Sequence, residues 1–137
     1  MPRRASAAPA DFGPVFAGLR RILKPHAKRL VVIADTPTRY GLAVRMGPTA
    51  RRIRGPRAKN PIMPVAWIET CKGYISYHLM PVYCLPALAA GISPALKSHQ
   101  QGRACFNFKA MDTKLFGELQ DLTDRGIADF KAAGLGE

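Results

Sequence analysis

Two short runs of β-forming residues, separated by only two residues, constrain this chain more than any other feature of its sequence. Residues 65–71 (VAWIETC) and 74–80 (YISYHLM) flank Lys72 and Gly73. A two-residue connection between strands is typical of a tight β-hairpin, and glycine suits a turn position that requires a positive φ. The sequence therefore predicts that the two runs pair as antiparallel strands.

The turn also fixes which residues face one another. Folding the chain at a two-residue turn places Cys71 opposite Tyr74 and Trp67 opposite His78. Because side chains alternate along a strand, a shift of one residue would move every side chain to the other face. In this register the core face carries Ala66, Ile68, Thr70, Ile75, Tyr77 and Leu79, and the mixed face carries Val65, Trp67, Glu69, Ser76, His78 and Met80.

The remaining elements follow from hydrophobic periodicity. Apolar residues at helical spacing predict helices over residues 12–23 and 114–133, near the two ends of the chain. β-branched or alternating residues predict strands over 29–34, 40–46 and 103–109. We therefore expect an α+β fold, an antiparallel β-sheet with N-terminal and C-terminal helices packed on it.

Length and composition predict a single domain. Residues 12–133 are expected to form it, residues 1–11 a disordered basic tail, and residues 47–64, which are rich in arginine and proline, a surface loop. An oligomer formed through an uncovered edge strand is left open. The apolar stretch from 79 to 96 is interrupted by three prolines, so no membrane span is predicted.

Positive charge is concentrated in one segment. The formal net charge of the chain is +12, and residues 45–59 contain six cations and no acid. These cations are Arg45, Arg51, Arg52, Arg54, Arg57 and Lys59. Arginine forks match phosphate groups, so the segment is a candidate site for nucleic acid or another polyanion. The alternative is a solvated surface that binds nothing and keeps the protein in solution.

A second candidate site lies on the mixed face of the predicted hairpin. There Trp67 and His78 face one another, with Glu69 and Ser76 beside them. Such a group is suited to lining a small ligand pocket. The alternative is that His78 fills part of a wall, since partial burial is ordinary for histidine.

Catalytic, metal and cofactor motifs are not found in the sequence. Its three cysteines and three histidines lack the paired spacing of zinc sites, and no nucleophile or phosphate-loop motif is present. We therefore predict no catalytic residue, no metal and no cofactor; a non-enzymatic protein is favoured, and an enzyme is left open as the alternative. Few cysteines and no secretory signal predict a cytoplasmic location.

Three segments of the chain resemble one bacterial family. They are YISYHLMPVY (74–83), GISPALKSHQQGRACFNFK (91–109) and DTKLFGELQDLTDRGIADFK (112–131). Together they resemble the YdhG-like family of small domains, most of them of unknown function. The resemblance implies an antiparallel sheet with helices at both ends. Because some members are described as frataxin-like iron chaperones, it also implies iron delivery as a further alternative to ligand binding and polyanion binding.

Overall fold

An antiparallel sheet forms the centre of the structure, a computed structural model that describes residues 12–55 and 62–137. Within these residues the sheet has six strands in the order β1-β2-β3-β4-β6-β5. The strands are β1 (Val31–Thr36), β2 (Arg39–Arg45), β3 (Ile62–Cys71), β4 (Tyr74–Leu79), β5 (Gln100–Gln101) and β6 (Cys105–Phe108). Every pairing between neighbouring strands is antiparallel.

Two long helices lie near the ends of the chain, as predicted, with shorter helices between them. The helices are α1 (Gly13–Leu23), a 3₁₀ helix (Lys24–Lys28), α2 (Pro48–Arg54), α3 (Met80–Cys84), α4 (Pro86–Ala90), α5 (Pro94–Lys97) and α6 (Thr113–Ala132). The Asp112 side chain caps α6 by accepting a hydrogen bond from the Leu115 backbone N–H. The architecture is therefore α+β, with helices in the apolar stretch after β4. No helix in the described part of the chain is long and apolar enough to cross a membrane.

The hairpin has the predicted register. Trp67 pairs with His78, Cys71 pairs with Tyr74, and Gly73 adopts a φ of 97° in the turn. The positive φ explains why glycine suits this turn position, since residues that have a Cβ atom are strained there. Local sequence information alone was therefore sufficient to align these two strands.

One end of the hairpin differs from the prediction. The register between β2 and β3 shifts next to Val65, which is fully buried instead of lying on the mixed face. A bulge of this kind adds a residue to one strand and turns its side chain out of the alternating pattern. Met80 also departs from the prediction, because it begins α3 instead of ending β4.

The segment 47–64, predicted to be a loop, contains regular structure. Pro48–Arg54 forms α2, and β3 already begins at Ile62. The backbone N–H of Thr49 donates to the Gly134 carbonyl oxygen at 2.9 Å, so residues that follow α6 hold the start of α2. This long-range support was not visible in the local composition. Residues 56–61 and the predicted tail, 1–11, lie outside the described residues.

Smaller shifts affect the first strand. The predicted strand 29–34 lies at Val31–Thr36, because the 3₁₀ helix continues α1 as far as Lys28. The strand predicted at 40–46 is β2, and the one predicted at 103–109 is β6.

The core lies between the sheet and the two long helices. Its largest fully buried side chains are Tyr40, Tyr77, Phe106, Phe108 and Phe130. The Tyr77 hydroxyl is hydrogen-bonded to Thr123 Oγ1 of α6 at 2.5 Å, and Thr123 Oγ1 in turn donates to the Leu119 carbonyl oxygen. Because the Thr123 hydroxyl proton is directed to Leu119, the Tyr77 hydroxyl is the donor to Thr123. This bond fixes α6 over the centre of β4.

We expect the losses of stability caused by removing the Tyr77 hydroxyl and the Thr123 hydroxyl to be coupled, because the two groups share a buried hydrogen bond. Tyr77→Phe should lower the free energy of unfolding by about 1 kcal/mol, and Thr123→Val by about 1–3 kcal/mol, because it leaves a buried hydroxyl without an acceptor. The double variant should cost less than the sum, since it removes both polar groups. Urea unfolding of the four proteins measures these values, and strictly additive losses would contradict the expectation.

Candidate functional site

The two faces of the sheet differ in what covers them. α6 packs on the face that carries Tyr77, where the Phe116 ring meets the Phe108 ring edge-on at 5.1 Å between centroids. The opposite face, here called the polar face, carries Trp67, Glu69, Ser76, His78, Cys105 and Asn107. All of these except Ser76 remain partly exposed. The side chains predicted as a ligand site therefore lie on the face away from α6.

Trp67 and His78 form a stacked pair at the centre of the polar face. Their ring centroids are 4.6 Å apart and the ring planes differ by 10°. Gly41 is the β2 partner of Trp67. A Cβ atom at Gly41 would lie 3.2 Å from the Trp67 Cβ and 3.3 Å from an Ile33 side-chain carbon. The absence of a side chain at Gly41 thus gives Trp67 room to stand beside His78.

Both ring nitrogens of His78 have side-chain partners. Nε2 lies 2.8 Å from Ser76 Oγ, and Nδ1 lies 2.9 Å from Cys105 Sγ. Burial lowers the pKa of His78, with a smaller opposing effect from Glu69, and burial raises the pKa of Cys105. With the imidazole neutral, one ring nitrogen donates and the other accepts, so the ring donates to one of its two partners, Ser76 or Cys105, and accepts from the other. The three side chains form a neutral network that holds the imidazole ring in place.

Glu69 occupies the next row of the polar face. It pairs with Arg39 on one side and with Ser76 on the other. Among the described residues, no hydrogen bond or ion pair engages its half-buried carboxylate. The structure thus brings together all four residues predicted from the sequence, with the Glu69 carboxylate available to a ligand.

Cys105 and Arg39 belong to the same surface but were not predicted as part of it. Arg39 disfavours the protonated form of His78 and so contributes to its lowered pKa. Alternation along residues 103–109 placed Cys105 on the outward side of its strand. Alternation within one strand does not show which strand lies beside it. The pairing of β6 with β4, which brings Cys105 opposite His78, was therefore not predicted.

A cavity of about 550 Å³ opens beside the polar face at the β5–β6 edge of the sheet. Its lining includes Tyr74, Ser98, His99, Gln101, Asn107, Lys109 and Asp112. Asn107 connects it to the polar face, because Asn107 pairs with Ser76 across β4 and β6. The Asn107 amide donates to Gln101 Oε1 at 2.5 Å, and His99 stacks on Phe108 at 4.9 Å between centroids. The cavity therefore combines amide groups with aromatic walls.

The second predicted site, the arginine-rich segment, lies on α2 and at the end of β2. Arg45, Arg51, Arg52 and Arg54 are exposed, as expected for a surface segment. Arg51 forms an ion pair with Glu137 at 3.3 Å between nitrogen and oxygen. Arg57 and Lys59 lie outside the described residues.

Neither a search for metal-binding clusters nor comparison with known proteins adds an indication of function. The described ranges, 12–55 and 62–137, contain no group of three or more His, Cys, Asp or Glu side chains that could hold a metal ion. No family model matches the chain, and neither a curated protein nor a solved structure is detectably similar to it.

The lowered pKa of His78 predicts a specific pH dependence of stability. The unfolded chain takes up a proton at His78 near pH 6.5, before the folded protein does, so protonation favours unfolding. The contribution of His78 should be fully present above about pH 6.5 and should be lost as the pH falls below it. The drop in unfolding free energy from pH 7 to pH 5 should therefore be smaller in His78→Gln than in the native protein, as measured by urea unfolding. An equal drop in both would contradict the assigned burial effect.

Proposed function

We propose that the protein is a non-enzymatic binding domain whose ligand is a small, polar, ring-bearing molecule. The observation that carries this proposal is the cavity itself, which Tyr74 and Asn107 line next to the stacked Trp67–His78 pair. None of the four residues predicted from the sequence, Trp67, Glu69, Ser76 and His78, lines the cavity, so they would contact only a ligand that reaches beyond it. A volume of about 550 Å³ is in the range of small-molecule sites, roughly 300–1,000 Å³. The ligand would lie in the cavity and extend over the polar face.

The side chains around the cavity indicate the chemistry of such a ligand. Tyr74 and His99 offer aromatic surfaces for a ring, while Gln101 and Asn107 offer amide donors and acceptors. The Glu69 carboxylate would accept a hydrogen bond from a hydroxyl or amino group of the ligand. Mixed amide and aromatic walls favour a nucleoside or a glycoside over a purely apolar compound.

The state of the Cys105–His78 pair supports binding rather than catalysis. A nucleophilic cysteine needs a thiolate, which histidine stabilises by taking the proton. Here burial opposes both charges, since it raises the pKa of Cys105 and lowers the pKa of His78. The pair is better suited to holding the wall of a site than to attacking a substrate.

The sequence motifs support a further assignment to the YdhG-like family and to the cytoplasm. The family assignment rests on the three motifs quoted above, and the location rests on the free thiols of Cys71, Cys84 and Cys105. Iron delivery has only the family resemblance as its support, and no cluster of donors in the described residues favours it.

Ligand binding should be detectable by ¹H–¹⁵N NMR with a set of neutral nucleosides and aryl glycosides. We expect binding probes to shift the Trp67 indole N–H and the side-chain amides of Asn107 and Gln101. Tyr74→Ala and Asn107→Ala should each weaken binding by about tenfold or more, because each removes a wall or a hydrogen bond of the cavity.

Asp129→Ala provides the control for this experiment. Asp129 is an exposed residue of α6, on the far side of the sheet from the polar face, and its loss should leave the affinity for these neutral probes unchanged. The proposal fails if no probe shifts these signals, or if the shifts persist in both cavity variants.

A second candidate function, polyanion binding, has its own support in α2. Arg52 and Arg54 are exposed and make no ion pair with any acid in the described residues, while Ile53 between them is 74% exposed. An exposed helix with unpaired arginines beside an apolar side chain can contact phosphates and the surface between them. This surface lies apart from the polar face, so the two functions are compatible.

Salt dependence provides the test of polyanion binding. Replacing Arg51, Arg52 and Arg54 with alanine should lower the salt concentration that elutes the protein from heparin. It should also reduce the salt slope for duplex DNA by about 0.9 for each phosphate that the protein no longer neutralises. The control variant, Lys97→Ala/Lys114→Ala/Arg125→Ala, removes the same charge from other exposed positions. Equal weakening in both variants would mean that only net charge matters.

A further inference from the structure

A second cleft, of about 600 Å³, lies between the 3₁₀ helix and α6. Its lining comprises Ile22, Pro25, His26, Lys28, Arg29, Leu30, and Gln120, Asp124, Ile127, Ala128 and Lys131 of α6. The cleft is formed by residues that lie about 100 positions apart in the chain. It shares no lining residue with the cavity beside the polar face.

Three cations surround this cleft. Lys28 and Arg29 are exposed and Lys131 is partly buried, and none of them forms an ion pair in the described part of the chain. The single carboxylate of the lining, Asp124, is engaged by His26, with 2.7 Å between Nε2 and Oδ1. Three cations and one carboxylate give a formal charge of +2, not counting His26. The cleft therefore presents unpaired positive charge to any ligand.

The same corner of the molecule carries further cations. An adjoining groove shares Pro25 and Lys28 with the cleft and adds Arg21 and Lys24. Both added side chains are exposed. Closely spaced like charges raise the local concentration of small anions, and a concave site strengthens this effect.

The floor of the cleft is apolar. Ile22 and Ile127 are buried members of the hydrophobic core, and Leu30 packs against that core while remaining partly exposed. An anion that also carries an apolar group can place that group on this floor and its charge among the cations. An inorganic anion would contact only the cations around the cleft and would leave its apolar floor unoccupied.

We propose that this cleft binds a small organic phosphate, a monoester that carries an apolar or aromatic group. A phosphomonoester has a charge of about −1.5 to −2 at pH 7, which matches the charge of the cleft. The Arg29 guanidinium can bind two phosphate oxygens at once, and Lys28 and Lys131 supply further donors. The volume favours a compact ligand held in a concave site over a nucleic-acid strand lying on a surface.

Phenyl phosphate is the probe that tests this proposal, with inorganic phosphate and phenol as its two separate parts. We expect ¹H–¹⁵N NMR titration to shift the backbone signals of Leu30, Ile127 and Lys131. Phenyl phosphate should bind more tightly than either part alone. Arg29→Gln/Lys131→Gln should weaken its binding by about tenfold or more, because each substitution removes a charge-assisted hydrogen bond.

The matched control is Lys97→Gln/Lys114→Gln, which removes the same charge from exposed positions outside the cleft. It should change the affinity for phenyl phosphate by less than about twofold, since distant surface charges are screened. Three outcomes would overturn the proposal. They are equal weakening in both variants, equal affinity for inorganic phosphate and phenyl phosphate, and no shift of the cleft signals by phenyl phosphate, whether or not a single-stranded oligonucleotide binds there. The test does not depend on the polar-face ligand, because that site lies elsewhere.

Discussion

The pairing of Trp67 with His78 is the constraint on which the rest of the structure depends. It places Tyr77 on the opposite face, where the Tyr77 hydroxyl reaches Thr123 and fixes α6. It also places His78 between Trp67 and Cys105, on the polar face. A shift of one residue would bury His78 under α6 and expose Tyr77. The core and the candidate site thus follow from the same alignment of two strands.

The sequence predicts this alignment because the information is local. A two-residue turn containing Gly73 connects the strands and sets their register, and the alternation of side chains along each strand assigns each residue to a face. The neighbourhood of His78 was harder to predict, because β6 pairs with β4 after a connection that contains three short helices. The start of α2 depends on Gly134, which lies 85 positions after Thr49. Its local composition of proline and arginine indicated a loop, although Pro48 at the first helical position and Gly55 after the last one are compatible with a helix. The long-range contact adds support at the start of that helix.

The centre of the polar face is neutral, although the chain is strongly basic. The chain carries a formal charge of +12, yet the centre of the polar face contains a neutral imidazole and a neutral thiol. Two groups of unpaired cations lie on α2 and around the 3₁₀ helix. Because exposed charges are screened over about 8 Å at physiological salt, these surfaces can attract anions without changing the neutral state of His78 and Cys105. A neutral ligand and an anion can therefore be bound by different parts of one small domain.

Helix α6 connects the two basic surfaces physically. It supplies Asp124 and Lys131 to the cleft beside the 3₁₀ helix, and the residues that follow it hold the start of α2 through Gly134. The Asp112 cap defines where this helix begins, and the buried hydrogen bond from the Tyr77 hydroxyl to Thr123 holds the helix over β4. A displacement of α6 would change both basic surfaces together. The polar face is formed by β3, β4 and β6. The central strand of the three, β4, pairs with β3 on one side and with β6 on the other. The sheet thus shapes the polar face, whereas α6 and the residues that follow it support the two basic surfaces.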